Sequence, residues 1–130
     1  MRAPGATVWA IAEGYIPGAS TGEGRALESH ETVCLLNAGE EDAAVEITVY
    51  FADREPAGPY RVDLPARRTR HVRFNDLRDP EPVPRDTDFA SVVRASRPIV
   101  VQHTRLDTRQ PALALVSTVA FPAPSGDDAA

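Results

Sequence analysis

The chain has 130 residues, with 42% hydrophobic and 25% charged residues, which is ordinary for a single globular domain. Its formal net charge of −5 argues against bulk attraction to nucleic acid or anionic lipid. The single cysteine, Cys34, excludes an intramolecular disulfide, and no apolar run reaches the roughly 18 residues of a membrane helix, so we predict a cytoplasmic protein.

Alternation of apolar and polar side chains predicts strands along most of the chain. In chain order we expect them over residues 7–13, 31–36, 43–51, 60–64, 68–74, 89–94, 99–106 and 113–121. The clearest is 43–51, where Val45, Ile47 and Val49 share one parity. Successive side chains of a strand point to opposite faces, so this strand has one buried face.

Turn residues separate these strands. The segment 37–42 predicts a hairpin, 53–59 a second turn, and 96–98 a tight link. The proline-rich segment 79–84 predicts a surface loop, because proline lacks the amide donor that a sheet interior needs.

About eight short strands at this spacing predict an all-β, single-domain sandwich or jelly-roll-like barrel. We expect the domain to span residues 1–130, with an ordered core over about 7–121. The segment 122–130 is rich in small and polar residues and predicts a flexible tail.

On one face of the predicted strand 99–106, the side chains change from apolar to polar towards the carboxyl end. On that face Ile99 and Val101 precede His103, Arg105 and Asp107. One interpretation is a polar binding site for hydroxyl groups or for the backbone of a partner. The other is an Arg105–Asp107 ion pair with a satisfied His103 at a subunit contact.

Three residues near the amino terminus extend the ligand-binding hypothesis, since Trp9 and Tyr15 flank Glu13. Aromatic rings can stack on the face of a sugar, while the Glu13 carboxylate accepts hydrogen bonds from hydroxyl groups. The alternative is that Trp9 belongs to the core. The predicted ligand-binding residues are Trp9, Glu13, His103, Arg105 and Asp107.

A second candidate surface lies in the arginine-rich segment 67–73. Strand alternation places Arg67, His71 and Arg73 on one face and Arg70 on the other. These four residues are candidates for binding a phosphate or an acidic partner. The alternative is a solvated or intersubunit face.

Motifs of catalysis are missing from the sequence. There is no nucleophile elbow and no glycine-rich phosphate loop, and the three histidines lack the close spacing of metal ligands. His30 beside Glu31 suggests acid–base chemistry, yet neighbours on a strand point to opposite faces. We therefore predict that the protein is not an enzyme and has no metal or cofactor.

Five segments resemble the sensory rhodopsin transducer family. They are WAIAEGYIP (9–17), SHETVCLLNAG (29–39), PARRTRHVRFNDL (65–77), DTDFAS (86–91) and VVQHTRLDTRQ (100–110). The resemblance implies a cytoplasmic β-sandwich that assembles as a homotetramer and, in some members, docks on the cytoplasmic face of a microbial rhodopsin.

Two functions follow from this resemblance. The first is a soluble signal-transducing adaptor that acts by protein–protein interaction. The family is also similar to carbohydrate-binding β-sandwiches, and many relatives lack a rhodopsin. The alternative is therefore a module that binds a small, sugar-like ligand in sugar metabolism or its regulation.

Overall fold

Eight strands make up most of the molecule, a computed structural model that describes residues 3–112 and 114–123. The strands are β1 Ala6–Ile11, β2 His30–Asn37, β3 Ala43–Phe51, β4 Ala57–Leu64, β5 Arg68–Arg73, β6 Phe89–Asp107, β7 Ala114–Val119 and β8 Phe121–Pro122. Two single 3₁₀ turns, Arg25–Leu27 and Phe74–Asp76, are the helical elements of the described residues.

All strand pairs are antiparallel, and the predicted all-β sandwich is confirmed. Sheet A has the order β4-β3-β6-β1-β8, and sheet B has the order β5-β2-β6-β7. Strand β6 belongs to both sheets, and the sheets do not close into a barrel. No helix in the described part of the chain is long and apolar enough to cross a membrane.

Strand β6 corrects the prediction of two short strands joined by a tight link at 96–98. It runs for 19 residues without interruption. Its first half pairs with β3 as far as Ala95, and its pairing with β2 begins at Val100. Pro98 lies where the strand changes partners, so its missing amide donor interrupts neither ladder.

The predicted hairpin at 37–42 is wrong, because this segment crosses from sheet B to sheet A. Strand β2 pairs with β5 and β6, whereas β3 pairs with β4 and β6. The buried Asn37 side chain fixes the crossing by donating to the carbonyls of Glu41 at 2.8 Å and Leu64 at 3.1 Å. It also accepts a bond from the Gly39 amide at 3.0 Å.

The remaining turns differ less from expectation. Segment 53–59 lies where the hairpin between β3 and β4 turns. The loop 79–84 is largely exposed but buries Val83.

The predicted strand 113–121 is divided, since β7 pairs in sheet B and β8 in sheet A. Of the predicted tail 122–130, residues 124–130 lie outside the described residues.

The core lies between the two sheets and follows the alternation of the sequence. In β3 every second side chain from Ala43 to Val49 is buried, and those between are exposed or half-buried. Sheet B contributes Val33, Leu35 and Val101 from the opposite side. Because both inner faces are mainly apolar, their burial drives the sandwich together.

Replacing Ile47 by alanine should destabilise the fold by roughly 2–5 kcal/mol, the usual cost of a large-to-small change in a core. Ile47 is 0% exposed at the centre of β3. Urea unfolding measures the change, with Thr48→Ala on the outer face as the matched control. Equal midpoints for the two variants would contradict the assigned register.

Candidate functional site

A buried carboxylate marks one end of the sandwich. Glu31 shares the inner face of β2 with Val33 and Leu35, and it is 0% exposed. A buried charge is strongly destabilising unless it is paired and hydrogen-bonded. The surroundings of Glu31 must therefore supply donors, and they do.

The strand register brings two cationic or polar side chains to this carboxylate. Arg105 lies directly opposite Glu31 across the β2–β6 ladder, and His103 lies opposite Val33 on the same face. His103 Nε2 bonds one carboxylate oxygen of Glu31, and Arg105 Nε donates to the other. The backbone amide of Tyr15 adds a third bond at 3.3 Å.

Arg105 carries this network from the interior to the surface. Its Nη2 donates to Oε1 of Glu13 at 2.5 Å, and the side chains of Arg105 and Glu13 are 25% and 70% exposed. Burial lowers the pKa of the Arg105 guanidinium, but its bonds to Glu31 and Glu13 outweigh burial and raise it. We call Glu13, Glu31, His103 and Arg105 the rim cluster.

A second group of side chains lies beside the rim cluster. Arg109 pairs with Asp107 at 2.7 Å and lies 5.6 Å from the ring centre of Tyr15. The hydrogen bond from Arg109 holds the pKa of the Asp107 carboxyl below its usual value. Tyr15 donates to Asp86 at 3.3 Å, and burial followed by that carboxylate raises the pKa of its phenol.

The segment that carries Glu13 and Tyr15 is held by a close backbone contact. The Phe89 amide donates to the Gly14 carbonyl at 2.9 Å. A Cβ at position 14 would lie 2.5 Å from the Phe89 ring, so only glycine fits there without displacing the ring. This contact fixes the segment across the end of the sandwich.

The structure brings together three of the five predicted ligand-binding residues, namely Glu13, His103 and Arg105. Asp107 lies at the same end of β6 but bonds Arg109, so the predicted Arg105–Asp107 pair is replaced by pairs to Glu31 and Glu13. Trp9 belongs to the core at 5% exposure. Its indole donates to the carbonyls of Ala6 and Ile99, at 2.9 Å each.

Sequence reasoning missed Glu31 and Arg109 as members of this site. The signal for Glu31 was its parity, because it shares the apolar face of β2 with Val33. A carboxylate on an apolar face needs a buried partner. His103 was a candidate for that partner, because it shares an otherwise apolar strand face with Val101. Arg109 lies after the end of β6, where alternation carries no information.

The arginine-rich segment does not form a single stripe. Arg67 lies in the turn before β5, 4.0 Å from Glu40. His71 and Arg73 lie opposite Cys34 and Thr32 on the outer face of sheet B. Arg70 points to the other side and donates to the Asp63 carbonyl at 2.9 Å.

Chemically, the rim cluster presents hydrogen-bonding groups and holds them rigidly. The exposed Glu13 carboxylate accepts hydrogen bonds, and the Arg105 guanidinium is fixed between two carboxylates. Among the described residues, no three of the types His, Cys, Asp and Glu are grouped as metal ligands would be. The arrangement suits recognition of a polar group.

Comparison with known proteins gives one family and several solved structures. The family model described as Anabaena sensory rhodopsin transducer matches residues 4–122. The solved Anabaena sensory rhodopsin transducer is 62% identical, over 80% of this chain and 100% of that chain, with a TM-score of 0.69. The crystal structure of Thermotoga maritima 1070 is 29% identical, over 92% and 96% of the two chains, with a TM-score of 0.82. No functionally curated protein matches the chain.

Replacing Glu31 by glutamine should destabilise the fold by roughly 3–5 kcal/mol, because it removes the buried partner of Arg105 and His103. Glu13→Gln is the matched control, since Glu13 also bonds Arg105 but is 70% exposed. Its unfolding midpoint in urea should hardly move. An equal loss of stability in both variants would contradict the claim that burial makes the contribution of Glu31 to the free energy of unfolding larger than that of Glu13.

Proposed function

We propose, because this chain belongs to the Anabaena sensory rhodopsin transducer family, that it is a cytoplasmic signal-transducing adaptor. It acts by protein–protein contact and catalyses no reaction. The name of the 62% identical relative describes a transducer for a sensory rhodopsin. We extend that role to this chain, with the cytoplasmic face of a microbial rhodopsin as the partner.

An exposed apolar segment is the observation that best supports an interaction protein. Leu115, Val116 and Val119 of β7 and Phe121 of β8 are between 58% and 67% exposed. Strand β7 lies at the edge of sheet B, and its one neighbour among the described strands is β6. We call residues 114–121 the β7 edge. An open sheet edge with exposed apolar side chains is typical of a surface that another chain covers.

We propose that the β7 edge meets other copies of this chain in a homotetramer. Contact between copies would bury the apolar side chains on both faces of β7 and pair its free backbone groups. A partner such as a rhodopsin would then meet the remaining surface of the assembly. The cytoplasmic loops of membrane proteins are rich in lysine and arginine, and the net charge of −5 complements them.

Binding to a rhodopsin tests the proposal directly. The purified chain should bind saturably to nanodiscs that contain a microbial rhodopsin from the same organism, and added salt should weaken the binding. Nanodiscs without rhodopsin are the control. Light scattering on the same sample should give the mass of four chains. No binding, or the mass of one 14.0 kDa chain, would contradict the proposal.

The rim cluster supports a second candidate function, the binding of a small sugar-like ligand. Glu13 and Arg105 offer an acceptor and several donors side by side. The half-buried Tyr15 ring lies at the same end of the sandwich, where Arg109 contacts it. Such a combination of carboxylate, guanidinium and aromatic ring suits a cluster of hydroxyl groups.

Calorimetry against a panel of neutral sugars and sugar acids tests this second function. Glu13→Gln should weaken any binding while leaving the oligomer and the Arg105–Glu31 pair intact. Glu46→Gln is the control, because Glu46 is a partly exposed glutamate on sheet A paired with Arg61. The absence of heat with every sugar would remove this function and leave the adaptor proposal standing.

A further inference from the structure

A polar groove crosses the outer face of sheet B, away from the rim cluster. Its volume is about 370 Å³. Thr32 and Cys34 of β2 lie in it opposite Arg73 and His71 of β5. Directly opposite residues of an antiparallel pair share a face, so alternation alone brings these four side chains together.

Arg73 forms no direct ion pair in the described part of the chain, although hydrogen bonds from neighbouring arginines, and then the charge of Arg73, lower the pKa of the Asp76 and Glu28 carboxyls. One of its Nη1 donors bonds the Arg25 carbonyl at 2.9 Å, which anchors the side chain. The neighbouring Arg25 differs, because it forms two bonds to Asp76, at 3.0 Å and 2.5 Å. The lining therefore contains two arginines and one carboxylate, and Arg73 is the arginine that no carboxylate contacts directly.

Several other side chains that line the groove keep polar atoms available for a ligand, whereas Thr104 is bonded to Ser117. The Nδ1 atom of His30 bonds the Glu28 carbonyl at 2.8 Å. A carbonyl only accepts, so Nδ1 carries the proton, and Nε2 of the neutral ring is an acceptor that can take a hydrogen bond from a hydroxyl group of the ligand or from a monoprotonated phosphate. Within the described ranges, neither the Thr32 hydroxyl nor the His71 ring has a hydrogen-bond partner.

We propose that this groove binds the phosphate group of a small phosphate monoester. A guanidinium matches phosphate oxygens with its planar fork of donors, and Arg73 keeps most of its donors unused. The groove lies in the usual size range of small-molecule sites. It exceeds a phosphate ion in size, so it also has room for the polar group that the phosphate carries.

Charge around the groove argues for a small ligand over a nucleic acid strand. Asp76 borders the groove next to Arg25, and the whole chain carries a net charge of −5. A polyanion would meet this repulsion along its length, whereas one phosphate group needs only the local charge of Arg73. None of the lining residues belongs to the β7 edge or the rim cluster, so the proposal does not rest on the adaptor function, although Thr104 borders the β7 edge through its bond to Ser117.

Titration with inorganic phosphate and with glycerol phosphate tests the site, with ionic strength held constant by chloride. The ring signals of His30 and His71 in NMR spectra should shift saturably, and glycerol phosphate should bind at least as tightly as inorganic phosphate. Arg73→Gln should weaken binding about tenfold or more, as expected for loss of a charged hydrogen bond. Free glycerol should cause no shift.

Arg70→Gln is the matched control, because Arg70 lies on the same strand with its side chain on the opposite face. It should bind phosphate like the unchanged protein. Circular dichroism confirms that both variants are folded. The proposal is overturned if the shifts do not saturate in the millimolar range, if Arg73→Gln binds normally, or if Arg70→Gln loses as much affinity.

Discussion

The bond between Glu31 and Arg105 is the contact on which one end of the sandwich depends. A carboxylate with no exposed surface is tolerable only because Arg105, His103 and a backbone amide surround it. These partners come from β6 and from the segment that follows β1. The Glu31–Arg105 bond lies within sheet B, because the two residues face each other across the β2–β6 ladder. It also fixes the Arg105 guanidinium, which pairs at the surface with Glu13 from the segment after β1 of sheet A.

Strand β6 makes that contact possible, since its 19 residues run through both sheets. Its first half packs in sheet A, and its second half delivers His103 and Arg105 to Glu31 in sheet B. Three different surfaces result. The rim cluster is polar and fixed, the β7 edge is apolar and open, and the groove beside Arg73 carries local positive charge. Contact between copies, recognition of a partner and binding of a small ligand can thus take place on separate parts of one subunit.

Alternation in the sequence was enough to predict the strand 43–51, its buried face and the all-β class, because burial on one face imposes a period of two. It could not predict that β6 is continuous, because a proline usually ends a strand. Pro98 is tolerated within β6 because it lies between the residues that pair with β3 and those that pair with β2. Nor could alternation show that 37–42 crosses between sheets, because a turn sequence does not reveal which strands pair. The sequence predicted only part of the site. His103 and Arg105 could be identified as candidates, but their partner Glu31 lies about 70 positions away in the sequence, and only the strand register shows that they pair.

A double-mutant cycle on Glu31 and Arg105 measures most directly whether this buried pair organises the end of the sandwich. The free energy of unfolding is measured in urea for the unchanged protein, Glu31→Gln, Arg105→Gln and the double variant. If the two groups act as a unit, the double variant loses less stability than the sum of the single losses. The coupling should then lie in the upper part of the range of about 0.5–3 kcal/mol found for residues in contact. Additive losses, within about 0.5 kcal/mol, would contradict the account, because they would mean that each side chain contributes independently of the other.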